Sequence, residues 1–199
     1  MKTFRILAIV IVVCGAILIL LLRTGASEDY QLSDYTFLPA YDSSSVVIHS
    51  YYSLSYNEES EQPYWVAYSL KPSNLESRFE RRNIFREDTM VKSGTATNRD
   101  YSRSGYDRGH LVPAGDMSFD SIAMEESFYY SNISPQLAGF NRGVWKRLEN
   151  YTRENSRAYD SLIVISGPVI NLPAEGIGDN RVSIPASFYK ILIQFKGNN

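Results

Sequence analysis

The sequence predicts an α+β fold, and three observations carry that prediction. Residues 46–56 and 64–70 are β-rich and are separated by the acidic stretch 57–63, the pattern of a hairpin with a polar loop. Within residues 138–156, Val144, Trp145, Leu148 and Tyr151 recur at helical spacing. Residues 161–165, followed by Gly167 and Pro168, and residues 187–195 read as two further strands, the first of them buried. Between these blocks, residues 71–99 are polar and predicted irregular, 106–111 a strand, and 121–130 a short helix. The 15 tyrosines fit strand packing, where an aromatic ring has an apolar body and a polar tip.

The N-terminus is of another kind. Residues 6–22 form an apolar run with Lys2 and Arg5 before it and Arg23 after it. A bilayer span takes ~17–25 apolar residues and a cleaved signal core ~7–15, so this run is long for a signal and short for a span. Thr24-Gly25-Ala26 offers a small-x-small cleavage site. The expected organisation is a signal anchor or signal peptide over residues 1–26, a linker over 27–45 and one domain over 46–199. The basic flank holds the N-terminus in the cytoplasm and places the domain outside it, periplasmic or extracellular. Cleavage would make it secreted. Cys14, the only cysteine, lies within the run, so the domain has no disulfide.

A nucleic-acid binder is usually basic, so a net charge of −2 argues against that class. Charge is segregated locally, however. Arg78, Arg81, Arg82, Arg86, Arg99, Arg103 and Arg108 crowd the segment leading to Asp107-Arg108-Gly109-His110. A basic cleft suffices for an enzyme that handles an anion. In that tetrapeptide, histidine can take a proton near neutral pH, arginine can clamp a phosphate with two parallel N–H groups, and glycine permits close backbone approach. A base, an anion clamp and a tight turn suggest phosphodiester hydrolysis. The other histidine, His49, sits among strand-like apolar residues and reads as structural.

Downstream come Ser131-Asn132-Ile133-Ser134-Pro135-Gln136, then Phe140-Asn141-Arg142-Gly143-Val144-Trp145 and Glu149. In this order and spacing, these stretches and Asp107-Arg108-Gly109-His110 resemble the DNA/RNA non-specific endonucleases, the endonuclease G-like family. Tyr64-Trp65-Val66-Ala67-Tyr68, Phe85-Arg86-Glu87-Asp88 and Ser166-Gly167-Pro168 extend the resemblance from about Val46 to the C-terminus. It implies the ββα-metal, or His-Me finger, nuclease fold, with a central mainly antiparallel sheet flanked by helices. Family members usually continue past the last strand, so the chain reads either as a minimal version or as a C-terminally truncated fragment.

The resemblance implies a site as well. His110 would be the general base that draws a proton from water. Asn141 would be the direct ligand of Mg²⁺, with Mn²⁺ able to substitute. Glu149, eight residues on and on roughly the same side of the helix, would hold metal waters. Asn132 would orient those waters or the phosphate, and Arg108 would face the scissile phosphate. Arg82 is the expected upstream arginine of the clamp, and Asp107 is expected to be structural. Substrates would be DNA and RNA, and both monomer and homodimer stay open. The alternative is an inactive or truncated relative acting as a membrane-tethered nucleic-acid-binding protein.

Overall fold

The computed structural model describes residues 8–12 and 45–195. In chain order the described strands are β1 (Ala8–Val12), β2 (Val46–Ile48), β3 (Tyr52–Asn57), β4 (Gln62–Leu70), β5 (Asp107–His110), β6 (Ile133–Gln136), β7 (Ser161–Val169), β8 (Gly176–Ile177), β9 (Val182–Ser183) and β10 (Ser187–Phe195). Three α-helices join them: α1 (Asn98–Tyr101), α2 (Ser121–Glu126) and α3 (Lys146–Ser156). Six strands build the central sheet in the order β1-β10-β7-β4-β3-β2, and every neighbour pair is antiparallel. This is the expected α+β class with an antiparallel sheet.

The sheet is buried on both faces, and the two-residue period of a strand sorts its side chains. Leu54, Tyr56, Val66, Tyr68, Leu70, Leu162, Val164 and Leu192 join Leu111, Val112, Met117, Trp145 and Leu148 in the main core. Trp65, Ala67, Ile163, Ile165 and Ile193 cover the opposite face. A strand buried on both sides reads as a continuous apolar run, as in Leu162-Ile163-Val164-Ile165, rather than as an alternation.

Several elements differ from the sequence expectation for identifiable reasons. The segment 46–56 is not one strand: it turns at His49–Tyr52, where the His49 N–H donates to the Tyr52 carbonyl, and pairs with itself as β2 and β3. β7 runs on through Gly167 and Pro168 because β10 pairs along its whole length. The helix expected over 138–156 opens with a wide π-helical turn, Phe140–Trp145, before α3. α2 stops at Glu126, and the chain enters a 3-10 turn, Tyr130–Asn132, that leads into β6. The small β8–β9 hairpin had no period to reveal it.

At the N-terminus, the part of the apolar run that is described is a strand. β1 pairs with the edge of β10, from Ala8 opposite Ile193 to Val12 opposite Tyr189. Ala-Ile-Val-Ile-Val is rich in β-branched residues, which favour the strand wherever an open sheet edge is offered. A helical span is therefore not what residues 8–12 form. Among the described residues no helix is long and apolar enough to cross a membrane. The rest of the run, the cleavage site and the linker up to Ser44 lie outside the described residues.

Candidate active site

The site sits where β5 and β6 meet the π turn and α3. β5 and β6 form an antiparallel hairpin with Asp107 opposite Gln136 and His110 opposite Ile133. Gly109 is required by packing: a Cβ there would lie 2.2 Å from the side chain of Gln136. The Trp145 indole, fully buried, donates to the His110 carbonyl at 3.0 Å and so ties the helical segment to the strand that carries the histidine. The result is a cavity of ≈ 600 Å³ lined by Arg81, Phe85, Asp107, Arg108, His110, Asn141, Arg142, Lys146, Glu149 and Arg153, together with Pro113, Ala114 and Gly115.

His110 is buried against Phe128, 4.9 Å between ring centroids, and Phe85, 5.5 Å. Its Nε2 has no hydrogen-bond partner among the described residues. Burial, with a smaller contribution from the Arg81 cation, pushes the imidazole down to about 3, so it is neutral across the working range of an enzyme.

Asn141 stands in the π turn, a widened geometry often found at functional positions. Its amide N–H₂ donates to Asp107 at 2.9 Å. Asp107 also takes a two-pronged ion pair from Arg142, 2.8 and 2.7 Å, which is the main cause holding its carboxyl below the ordinary range. Because a carboxylate can only accept, the Asn141 amide is fixed in one sense, leaving Oδ1 as the end not bound to Asp107. That hard oxygen suits Mg²⁺, which keeps several waters and needs few protein ligands. Among the described residues no group of three or more His, Cys, Asp or Glu could hold a metal.

Glu149 lines the same cavity. Burial pushes its carboxyl up to about 7 against the opposing charge of Lys190, with Asp116 adding to the rise. Beneath it is a buried polar cluster. Lys190 Nζ donates to the Ser166 hydroxyl at 2.6 Å and lies 4.8 Å from the Trp145 ring centre. Tyr68 donates to Asp116 at 2.5 Å, and Arg153 pairs with the other oxygen of Asp116.

Arg108 is anchored rather than swinging. Its Nε donates to Tyr130 at 3.0 Å, one terminal nitrogen donates to the Asn98 side chain at 3.1 Å, and its guanidinium carbon lies 5.4 Å from the Phe85 ring centre.

Of the residues singled out from sequence, His110, Arg108, Asn141 and Glu149 meet in one cavity. Asn132 does not reach it. Its side chain is fully buried, accepts from Val112 N–H at 2.8 Å and donates to the carbonyls of Val112 and Ser127. These bonds clamp the loop after His110. Arg82 is not among the lining residues; its neighbour Arg81 is, with its guanidinium 5.4 Å from the Phe128 ring centre. Arg153 and Lys146 were missed. Arg153 lies four residues after Glu149, one helical turn, so the periodicity of α3 could have found it. Asp107, expected to be structural, lines the cavity and holds Asn141 and Arg142. His49 is not among the lining residues and is buried, 2.9 Å from Asp88.

Comparison with known proteins agrees with this architecture. The sequence profile of the family described as DNA/RNA non-specific endonuclease matches residues 33–199. Mitochondrial endonuclease G of Homo sapiens is 39% identical over 155 residues, covering 71% of this chain and 52% of that protein. Nuclease C1 of Cunninghamella echinulata var. echinulata is 35% identical over 163 residues, covering 74% and 64%. A solved structure of an EndoG/EndoGI complex is similar with a TM-score of 0.71 and 34% identity, over 75% of this chain and 67% of that one. The chain spans about half the length of the human endonuclease G it matches. With the profile covering most of its length, and with the β5–β6 hairpin and the π turn before α3 carrying His110 and Asn141, the chain belongs to the DNA/RNA non-specific endonuclease family.

Proposed function

We propose that this chain cleaves phosphodiester bonds within DNA and RNA, without sequence preference, in a reaction that requires Mg²⁺ or Mn²⁺. The observation that carries the reading is one cavity in which a neutral imidazole, a pre-oriented amide and an arginine cluster come together. Arg108, Arg153 and Arg81 supply the positive field that draws in a phosphate, and Arg108 arrives with its rotamer already fixed. His110 accepts the proton of the attacking water. Asn141 Oδ1 would hold the cation, and Glu149 would accept from water bound there. When bound, the cation stabilises charge on the phosphate and on the leaving oxygen. Recognition through phosphate rather than base edges leaves sequence unread.

The test is cleavage of plasmid DNA and of a structured RNA by the purified chain. Both should be cut with Mg²⁺ present, and both reactions should stop in excess chelator. Binding without cleavage would sink the enzyme reading and favour the inactive nucleic-acid-binding alternative. Undiminished cleavage in chelator would sink the metal.

We also propose that the apolar run, flanked by Lys2, Arg5 and Arg23, tethers the protein to a membrane with the nuclease outside the cytoplasm. The β1–β10 pairing is the competing use of the same residues. Carbonate washing of membranes from cells expressing the full chain separates the two. A tether leaves the protein in the pellet until detergent is added. Release by carbonate would favour the strand as its resident state.

A further inference from the structure

A second cavity of ≈ 380 Å³ opens beside the first and shares Arg81, Ala114, Gly115 and Arg153 with it. Its own walls are of a different kind. Leu75, Phe79 and Met124 make it apolar, while Arg157 adds a cation at its edge and Glu80 is the one acid lining it. Phe79 is 42% exposed, so part of its ring is open beside the arginines of this cavity. Its backbone is not free to drift. The N–H groups of Arg78 and Phe79 both donate to the Ser118 carbonyl at 2.9 Å, and the Ser118 hydroxyl donates to the Gly115 carbonyl at 3.1 Å. The ring is thus tied to the same loop that forms the shared wall. Arg153 and Arg157, four residues apart at the end of α3, lie on one helical face and both line this cavity.

An exposed phenyl ring in a cavity that adjoins the arginine-lined first one, with Arg153 and Arg157 on the same helical face, matches one ligand chemistry. We propose that this cavity is a nucleobase subsite: the base next to the scissile phosphate stacks on Phe79, and its neighbouring phosphate lies against Arg153 and Arg157. The inference rests on the nuclease reading above. It adds that the enzyme holds its substrate by a base as well as by phosphates. Stacking discriminates little between bases, because each has a π face, so the subsite strengthens binding without imposing sequence. Arg153 is already paired with Asp116, and Arg81 and Arg157 stand against Glu80 in the walls, a balance that still suits a polyanionic strand.

The experiment crosses deletion of the ring with deletion of the base. Oligothymidylate and an equally long chain of abasic deoxyribose phosphates are compared as substrates for the wild type and for Phe79→Ala, with Mg²⁺. If the ring stacks on a base, removing either lowers kcat/KM by about 5- to 100-fold, mainly through KM, and removing both costs no more than removing one. Effects that multiply would overturn the subsite. A wild type that cleaves neither substrate would instead overturn the nuclease reading. Phe79→Trp keeps the question open should the alanine variant fold poorly. In chelator, the introduced indole should be quenched by oligothymidylate and not by the abasic chain, against a background from buried Trp65 and Trp145. Equal quenching by both would count against stacking.

Discussion

His110→Ala is expected to lower kcat by ~10²–10⁴-fold, the usual contribution of a positioned general base, while leaving the Mg²⁺ concentration at half-maximal rate where it was. Both halves follow from geometry. The imidazole lines the cavity with Nε2 unpaired, and its removal touches neither Asn141 nor the Asp107 clamp that orients it. The pH profile carries a second expectation. From composition alone, a histidine base implies that activity falls below about 6.5, the ordinary imidazole value. In the folded protein burial pushes His110 down to about 3, so protonation of this ring is not what ends activity in mild acid. A base this weak accepts a proton only with help, which a bound anionic phosphate would provide. Of the groups lining the cavity, Glu149 titrates in range, coupled to the buried Lys190, which burial pushes down to about 8. Its carboxyl, pushed up to about 7 by burial, is ionised above that pH and protonated below it. If the carboxylate is needed, activity falls as pH drops through about 7, and a bound cation, which favours the carboxylate, moves that limb to lower pH. Glu149→Gln should erase the limb at a reduced plateau. A limb that persists unchanged in Glu149→Gln would assign it to another group, and near-wild-type kcat in His110→Ala would remove His110 from the chemistry.

What could be read from the chain and what could not divides along local and non-local structure. His110 and Arg108 are two residues apart on one short strand, and Asn141 and Glu149 are separated by eight residues, a little over two helical turns, so local geometry places each pair. The antiparallel hairpin 46–70 was marked by its polar loop, although the extra turn at His49 was not. Arg81 and Arg82 stand in an irregular segment with no period to say which of them faces inward, and the cavity takes Arg81. Asn132 illustrates the opposite limit. Its place in a motif pointed to substrate, yet its three hydrogen bonds are spent holding the loop after His110. Lys190 lies on the last strand, and only the pairing of β10 with β7 brings it to Ser166, beneath Glu149. The β1–β10 pairing joins residues nearly two hundred positions apart, which no local pattern can announce.

Asn141→Ala should behave differently from His110→Ala. Removing the amide removes the oxygen that suits a divalent cation, so the half-saturating Mg²⁺ concentration should rise together with a loss of rate on the order of 10²-fold or more. Asp107→Asn tests the same point without touching the ligand. It deletes the charge that holds the Asn141 amide by its N–H₂ and that anchors Arg142 with two hydrogen bonds. An asparagine at 107 can still accept through its oxygen, but its own N–H₂ can turn toward Asn141 and invite the amide to flip. A flipped amide would present N–H₂ where Oδ1 had been, which a cation rejects. Such supporting partners typically contribute 10–100-fold in metal affinity or activity. The expected order in apparent Mg²⁺ requirement is therefore wild type below Asp107→Asn below Asn141→Ala, with His110→Ala level with the wild type. Titrating Mg²⁺ against the cleavage rate of one oligonucleotide in all four proteins reads this order directly. If Asn141→Ala left the Mg²⁺ requirement unchanged, the cation would have to be held elsewhere, and the Asp107–Asn141 pair would be no more than a brace for the π turn.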